Sequence, residues 1–165
     1  LERFLDLATA LITARTASRI LTARLFMSRV YYCSAIATTR RPPTLAGTTW
    51  QLLSIQSMDD GEGTLRIADP TLYTIAFGSD GRAALRVDCN RASGTWQAAP
   101  GVNPTSGSLT FGPLAGTRAL CAPLSIDVKV LRDLGYVRSY LFKDGQLHLS
   151  LMADGGIYSW APAPR

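Results

Sequence analysis

The sequence predicts an α+β domain, mainly an antiparallel curved sheet or partly closed barrel of about seven or eight strands, with one helix near the C-terminal third. Three observations predict it. From Thr44 onward, short segments of alternating apolar and polar residues recur between turns rich in Gly, Asp and Pro. Asp144-Gly145 is the standard two-residue hairpin signal and joins two such segments. Only Ser125 to about Leu134 carries a convincing helical period.

The chain has 165 residues, which suits one domain with a tail. Residues 1–43 form a basic N-terminal segment, and residues 44–165 form the domain. The segment is rich in Leu, Ala, Thr and Arg, but arginines cut its apolar runs well short of the roughly 20 residues that cross a membrane. Three readings stay open for it. It is a targeting sequence with Ala35-Ile36-Ala37 as a small-x-small cleavage site, although Arg29 breaks the apolar core such a signal requires. It is a helix lying on a membrane or a partner. Or it is an upstream extension, because the chain opens on Leu and Met27 is the first conventional start. Arg40-Arg41-Pro42-Pro43 marks the boundary, since two prolines disfavour both helix and central strand.

The net charge of +5 invites a nucleic-acid reading. Seven arginines against Glu2 and Asp6 place all of that excess in residues 1–43. The remainder balances, so the folded domain is not expected to bind nucleic acid, and membrane contact is expected only through residues 1–43. The three cysteines, Cys33, Cys89 and Cys121, show no Cys-x-x-Cys spacing and stand with a single histidine. A closed zinc site needs about four ligands, so neither metal nor cofactor is expected.

Within the domain, Trp50-Gln51-Leu52-Leu53-Ser54-Ile55 reads as a first strand able to be buried on both faces. Asp59 to Gly63 is a polar loop. Tyr73, Ile75 and Phe77 alternate with Thr74 and Ala76, and Gly78-Ser79-Asp80-Gly81 supplies a turn. The return strand sets Ala83, Leu85, Val87 and Cys89 on one apolar face. Asn90 to Gly94 reads as a turn, Thr95-Trp96-Gln97 as a strand, Ala98 to Gly107 as a loop and Ser108 to Phe111 as a strand. Ser125 is the expected N-cap of the helix, Asp127 sits in its first turn, and Ile126, Val130, Leu131 and Leu134 form its apolar stripe up to Gly135. Tyr136 to Lys143, Gln146 to Met152 and Ile157 to Trp160 are the closing strands, and Pro162 and Pro164 end the structure.

Three stretches carry a family resemblance. Leu45-Ala46-Gly47-Thr48-Thr49-Trp50 resembles the opening motif L-x-G-T-x-W of the META domain family, the HslJ-like heat-shock and envelope lipoprotein family. Asp88-Cys89-Asn90-Arg91-Ala92-Ser93-Gly94-Thr95-Trp96 resembles its C-N-R-x-S-G-x-[YW] motif, and residues 109–121, from Leu109 to Cys121, resemble its L-x-[IF]-G-x-L-A-x-T-[RK]-x-x-C. The likeness runs colinearly over roughly residues 45–161. Residues 1–43 have no counterpart, and Val30-Tyr31-Tyr32 before Cys33 is too bulky for a lipobox. The resemblance implies a bacterial periplasmic, outer-membrane-associated or secreted protein without established catalytic residues. Some members are linked to stress or antibiotic tolerance, and no ligand is defined. It leaves the partner as an unknown envelope protein or a small ligand, and the domain as a monomer.

For Cys89 and Cys121 the resemblance leaves a redox or metal pair, a disulfide, or two buried thiols, with the disulfide expected if the protein is exported. Asn90, Arg91, Ser93, Gly94, Trp96, Thr117 and Arg118 are the candidate motif and binding residues. Against a ligand loop stands a local account: Asn90 and Ser93 bond the turn backbone and Gly94 supplies an unusual conformation. Arg91 and Arg118 are candidates to pair with Asp88 or bind an anion. A hydrolase centred on His148 would use Ser150 and Asp154, but no Gly-x-Ser-x-Gly is present and no catalytic residue is assigned. Trp50, Trp96 and Trp160 are expected in the core rather than on a sugar platform.

Overall fold

The computed structural model describes residues 43–58, 63–153 and 155–164. The readings of residues 1–42, of the loop at 59–62 and of Asp154 fall outside the described residues.

Eight antiparallel strands close into a barrel. The elements in chain order are β1 (Thr48–Gln56), β2 (Thr64–Arg66), a 3-10 turn at Pro70–Leu72, β3 (Tyr73–Phe77), β4 (Arg82–Val87), β5 (Asn90–Pro100), β6 (Ser106–Phe111), β7 (Ala115–Gly116), α1 (Asp127–Leu134), β8 (Val137–Lys143), β9 (Gln146–Leu151) and β10 (Ile157–Pro162). Neighbours around the barrel run β1, β3, β4, β5, β6, β8, β9 and β10, and β10 returns to β1. In that last pairing Trp50 faces Pro162 and Gln56 faces Ile157, so the sheet closes fully and Pro162 belongs to the last strand. Two short strands lie outside this circuit: β2 adds to β1, and β7 adds to β5.

Strict alternation builds the interior. Tyr73, Ile75 and Phe77 point inward from β3, and Ala83, Leu85 and Val87 do so from β4. Leu147 and Leu149 follow from β9, and Tyr158 and Trp160 from β10. Each fully buried Leu or Phe contributes about 1.5–3 kcal/mol of transfer free energy. On β1 the expectation of burial on both faces is corrected. A register shift between Leu52 and Ser54 moves the inward set to Trp50, Leu52 and Ile55, leaving Leu53 half-buried on the outer face. A second shift, between Val137 and Ser139, does the same on β8. Such bulges raise local twist and help a sheet curl shut.

At one end an aromatic group fills the barrel. The Phe77 ring packs edge-on against Trp96 at 5.2 Å and on Phe111 at 6.0 Å. Trp50 packs on Phe142 at 5.7 Å. The other mouth, where β3 starts and β4 ends, is covered by α1. Val130 and Leu134 enter the core, with Ile126 and Leu131 partly buried beside them. The expected stripe is therefore present, and the buried Asp133 is added to it. Two details of the helix differ from expectation. Ile126 takes the N-cap place, while the Ser125 hydroxyl accepts the Asp127 N–H at 3.3 Å. Gly135 ends the helix with φ −66°, without a left-handed turn.

The turns explain the rest. Asp144 and Gly145 take φ 53° and 75°, the pair of positive values that a tight hairpin of this type demands. Between β4 and β5 the turn is Asp88-Cys89 with Asp88 at φ 59°, and Val87 faces Asn90. The expected turn at 90–94 is thus a strand. β5 runs unbroken from Asn90 to Pro100, with Pro100 opposite Gly107, so most of the expected loop at 98–107 is paired as well.

Candidate functional site

Asn90 is the point where separate segments of the chain meet. It occupies the next inward position after Val87, so its amide faces the barrel mouth, and it is 1% exposed. A buried amide left unbonded costs roughly 2–7 kcal/mol. Here each polar atom is engaged. Oδ1 accepts from the Thr117 hydroxyl and the Ala119 N–H, both at 2.8 Å. Nδ2 donates to the Ala119 carbonyl at 3.0 Å and to Asp127 Oδ2 at 2.8 Å, and lies 3.2 Å from Cys121 Sγ. One side chain thus joins the β4–β5 turn, the segment after β6 and the first turn of α1.

That segment, residues 112–126, has little regular structure beyond β7 and runs as a strap alongside β5. Ala92 pairs with Gly116 and Ser93 with Ala115. The Thr117 N–H donates to the Arg91 carbonyl at 2.9 Å, and the Arg91 N–H to the Thr117 hydroxyl at 3.0 Å. Two glycines permit the close approach. A Cβ on Gly94 would come within 2.7 Å of the Pro113 carbonyl oxygen, and one on Gly116 within 2.7 Å of the Arg91 carbonyl oxygen. Gly94 is therefore needed for space, not for the unusual backbone conformation first expected of it.

Cys89 and Cys121 form a disulfide with Cα atoms 5.5 Å apart. Cys89 is not on the apolar face. Because the turn comes earlier, it sits in the turn and is exposed. The bond closes a separation of 32 residues. In the chain-entropy account that stabilises the fold by about 3–4 kcal/mol.

Strap and helix flank an open groove of 760 Å³. Asn90 and Ala92 form its base. Leu114, Thr117, Arg118 and Leu120 line the strap side, and Asp127, Val128, Leu131 and Arg132 the helix side. Leu120 and Val128 are 101% and 72% exposed, large apolar groups standing in water. Leu124, also exposed, takes φ 72°, a conformation costly for a leucine.

The candidate motif residues separate on this frame. Asn90, Thr117 and Arg118 gather at the groove with the disulfide. Arg91 is exposed, and its guanidinium donates to the Asn90 and Asp88 carbonyls at 3.1 and 3.4 Å, not to the Asp88 carboxylate. Ser93 is exposed beside the strap, paired with Ala115, and among the described residues its side chain bonds no turn backbone. Trp96 lies at the far end of the β4–β5 pair, its indole N–H shared between the Gly78 and Arg82 carbonyls at 3.2 Å each. Trp50 and Trp160 are core residues.

His148 lies half-buried on the outer barrel surface, its Nδ1 3.0 Å from the Ser159 hydroxyl of the neighbouring strand. Ser150 is the partner expected from the shared strand face, whereas cross-strand register brings Ser159 to the imidazole. Among the described residues no group of three His, Cys, Asp or Glu side chains is placed to hold a metal ion. None of their helices is long and apolar enough to cross a membrane.

One buried polar site carries no motif in the sequence. Asp133 is 6% exposed and accepts from the Tyr158 hydroxyl at 2.7 Å, from Arg132 Nε at 2.9 Å and from Lys129 Nζ at 3.1 Å. Burial pushes its pKa up, but Tyr158, Arg132 and Lys129 together outweigh that and hold it below the usual carboxylate range. Burial, then the hydrogen bond to Asp133, pushes the Tyr158 phenol far up. The available signal was position, since Asp133 falls three residues after Val130 within the apolar stripe.

The fold and motif define a small antiparallel barrel capped by one helix and flanked by a stapled strap. The chain belongs to the META domain family, whose model matches residues 43–161. An NMR structure of a protein from Burkholderia xenovorans is similar at 23% identity, covering 73% of this chain and 85% of that one, with a TM-score of 0.57. At that identity the likeness concerns the fold alone. A crystal structure of a DUF4847 family protein from Bacteroides vulgatus ATCC 8482 aligns at 14% identity over 71% of this chain and 93% of that one, and its TM-score of 0.47 carries no argument. No curated protein matches the chain.

Proposed function

We propose that this META domain is a non-catalytic module of the bacterial periplasm, the outer membrane or the secreted space, and that it holds an envelope protein or a small ligand at the groove beside Asn90. The Cys89–Cys121 disulfide carries this reading. Disulfides persist in oxidising compartments and are rare in the cytosol, and this one staples the strap that forms a groove wall. The non-catalytic part draws support from the chemistry of the motif, because the polar atoms of Asn90 and Thr117 are spent on tying segments together. A contribution to stress or antibiotic tolerance belongs to the same proposal. The test is the intact mass of the protein purified from its native host without reductant. A mass two hydrogens short, with Cys89 and Cys121 resistant to alkylation, is expected. Free thiols at both positions would end the export reading.

The second reading, an anion or small-molecule site around Arg91 and Arg118, gains from the groove only at Arg118, which lines it. A ligand that raises the melting temperature should lose that effect in Arg118→Gln and keep it in Arg91→Gln.

A further inference from the structure

We infer that the groove binds a small anionic amphiphile, an aliphatic chain ending in a carboxylate or a phosphate, with the head on Arg118 and the tail along Leu120, Val128 and Leu131. This deepens the module reading above and rests on its placement of the site. Size is the first argument. At 760 Å³ the groove falls in the range of roughly 300–1,000 Å³ typical of small-ligand sites. Surface chemistry is the second. Leu120 and Val128 are left in water on opposite walls, above the half-buried Leu114 and Leu131. Apolar groups exposed on both sides of one concavity mark a surface shaped for an apolar body. Charge is the third. Arg118 has no partner among the described residues, whereas the acid of the lining, Asp127, already accepts from the Asn90 amide. Arg132 adds a second cation at the rim, with its Nε bound to Asp133. The lining therefore carries two cations, Arg118 and Arg132, against one carboxylate, Asp127, beside apolar walls at Leu114, Leu120, Val128 and Leu131. A bare anion would leave the apolar walls in water. A polyanion would want a row of cations, and the domain's charges balance. One charged head on one aliphatic tail satisfies both parts.

The experiment is an NMR titration of the full-length oxidised chain, its disulfide verified by mass in the same sample. Dodecanoate, dodecyl phosphate and dodecanol are each added below the concentration at which they form micelles. Saturable one-to-one shifts of the Gly116–Leu120 and Val128–Arg132 amides are expected with at least one anion, and a response to only one identifies the headgroup. Arg118→Gln should weaken anion binding about tenfold, the scale of one hydrogen bond to a charged group, and leave dodecanol unchanged. Val128→Asn, an exposed position, should weaken all three. No saturable shift in the wild type would overturn the inference, as would shifts confined to other faces or anion affinity indifferent to Arg118→Gln. Groove shifts that follow protein concentration without any amphiphile would mark a self-association surface and also overturn it. Failure here leaves the export reading intact, because that rests on the oxidation state in the native host and not on this titration.

Discussion

The barrel interior and the strap that runs beside the barrel are held in place by opposite means. Inside the barrel, side chains such as Ile75, Leu147, Leu149 and Tyr158 are fully buried, and their positions follow from alternation alone. Many small contacts share the work, and none is indispensable in kind. The strap from Gly112 to Ile126 contributes no fully buried residue, and only Leu114 and Ile126 pack partly buried against the core. A two-residue strand, the Asn90 amide, the Thr117 hydroxyl and one disulfide hold it. The barrel is thus a distributed structure, and the strap a structure of a few directional links. The groove lies where the two meet, so its shape depends on the less redundant part.

This contrast can be broken at several strengths. Phe77→Ala removes the ring at the centre of the aromatic end and should cost about 3–5 kcal/mol in urea unfolding. The loss should be spread over the whole barrel, visible as hydrogen-exchange protection falling in every strand. The double change Cys89→Ser with Cys121→Ser should cost about 3–4 kcal/mol on the chain-entropy account. Here exchange should rise first in residues 112–126, with the barrel strands protected. If all strands lose protection together, the strap is not a separate unit and the comparison fails.

Asn90→Ala should cost about 1–3 kcal/mol, the range for leaving buried partners unsatisfied. Its strap amides should become mobile even though the disulfide is intact. A fully ordered strap in that variant would show that the disulfide alone suffices.

The smallest effect concerns the other side of the helix. Asp133 has a lowered pKa in the folded chain, so its contribution to stability is present above the ordinary carboxylate pKa of about 4. That contribution is lost as pH falls through the lowered folded value. Asp133→Asn should flatten the acid limb of the stability profile and leave its shape near neutrality unchanged. Tyr158→Phe removes one of the three donors and should move the acid limb to higher pH. An acid limb identical to wild type in both variants would count against a stabilising role for this group.

Much of the fold was legible because periodicity is a local property. Tyr73–Phe77 was read to the residue from its alternation, and the Asp144-Gly145 turn from the need for two positive φ values. The β4–β5 turn was misplaced for an instructive reason. Asn90, Ser93 and Gly94 are turn-forming residues by type, yet they serve a strand whose neighbours need a buried amide and a missing Cβ. Composition alone cannot separate a polar residue that turns the chain from one that a distant segment requires.

By itself the sequence determined the strand and helix classes, the placement of the excess charge in residues 1–43, and a motif set specific enough to name the family. These depend on residue type and short spacing. Only the tertiary structure decided that β10 returns to β1, that Asn90 faces inward, that Ser159 stands beside His148, and that Arg118 but not Arg91 lines the groove. Those outcomes join residues tens of positions apart. Each is settled by which pairing buries the most apolar surface while satisfying every buried polar group, a condition no short window of sequence contains.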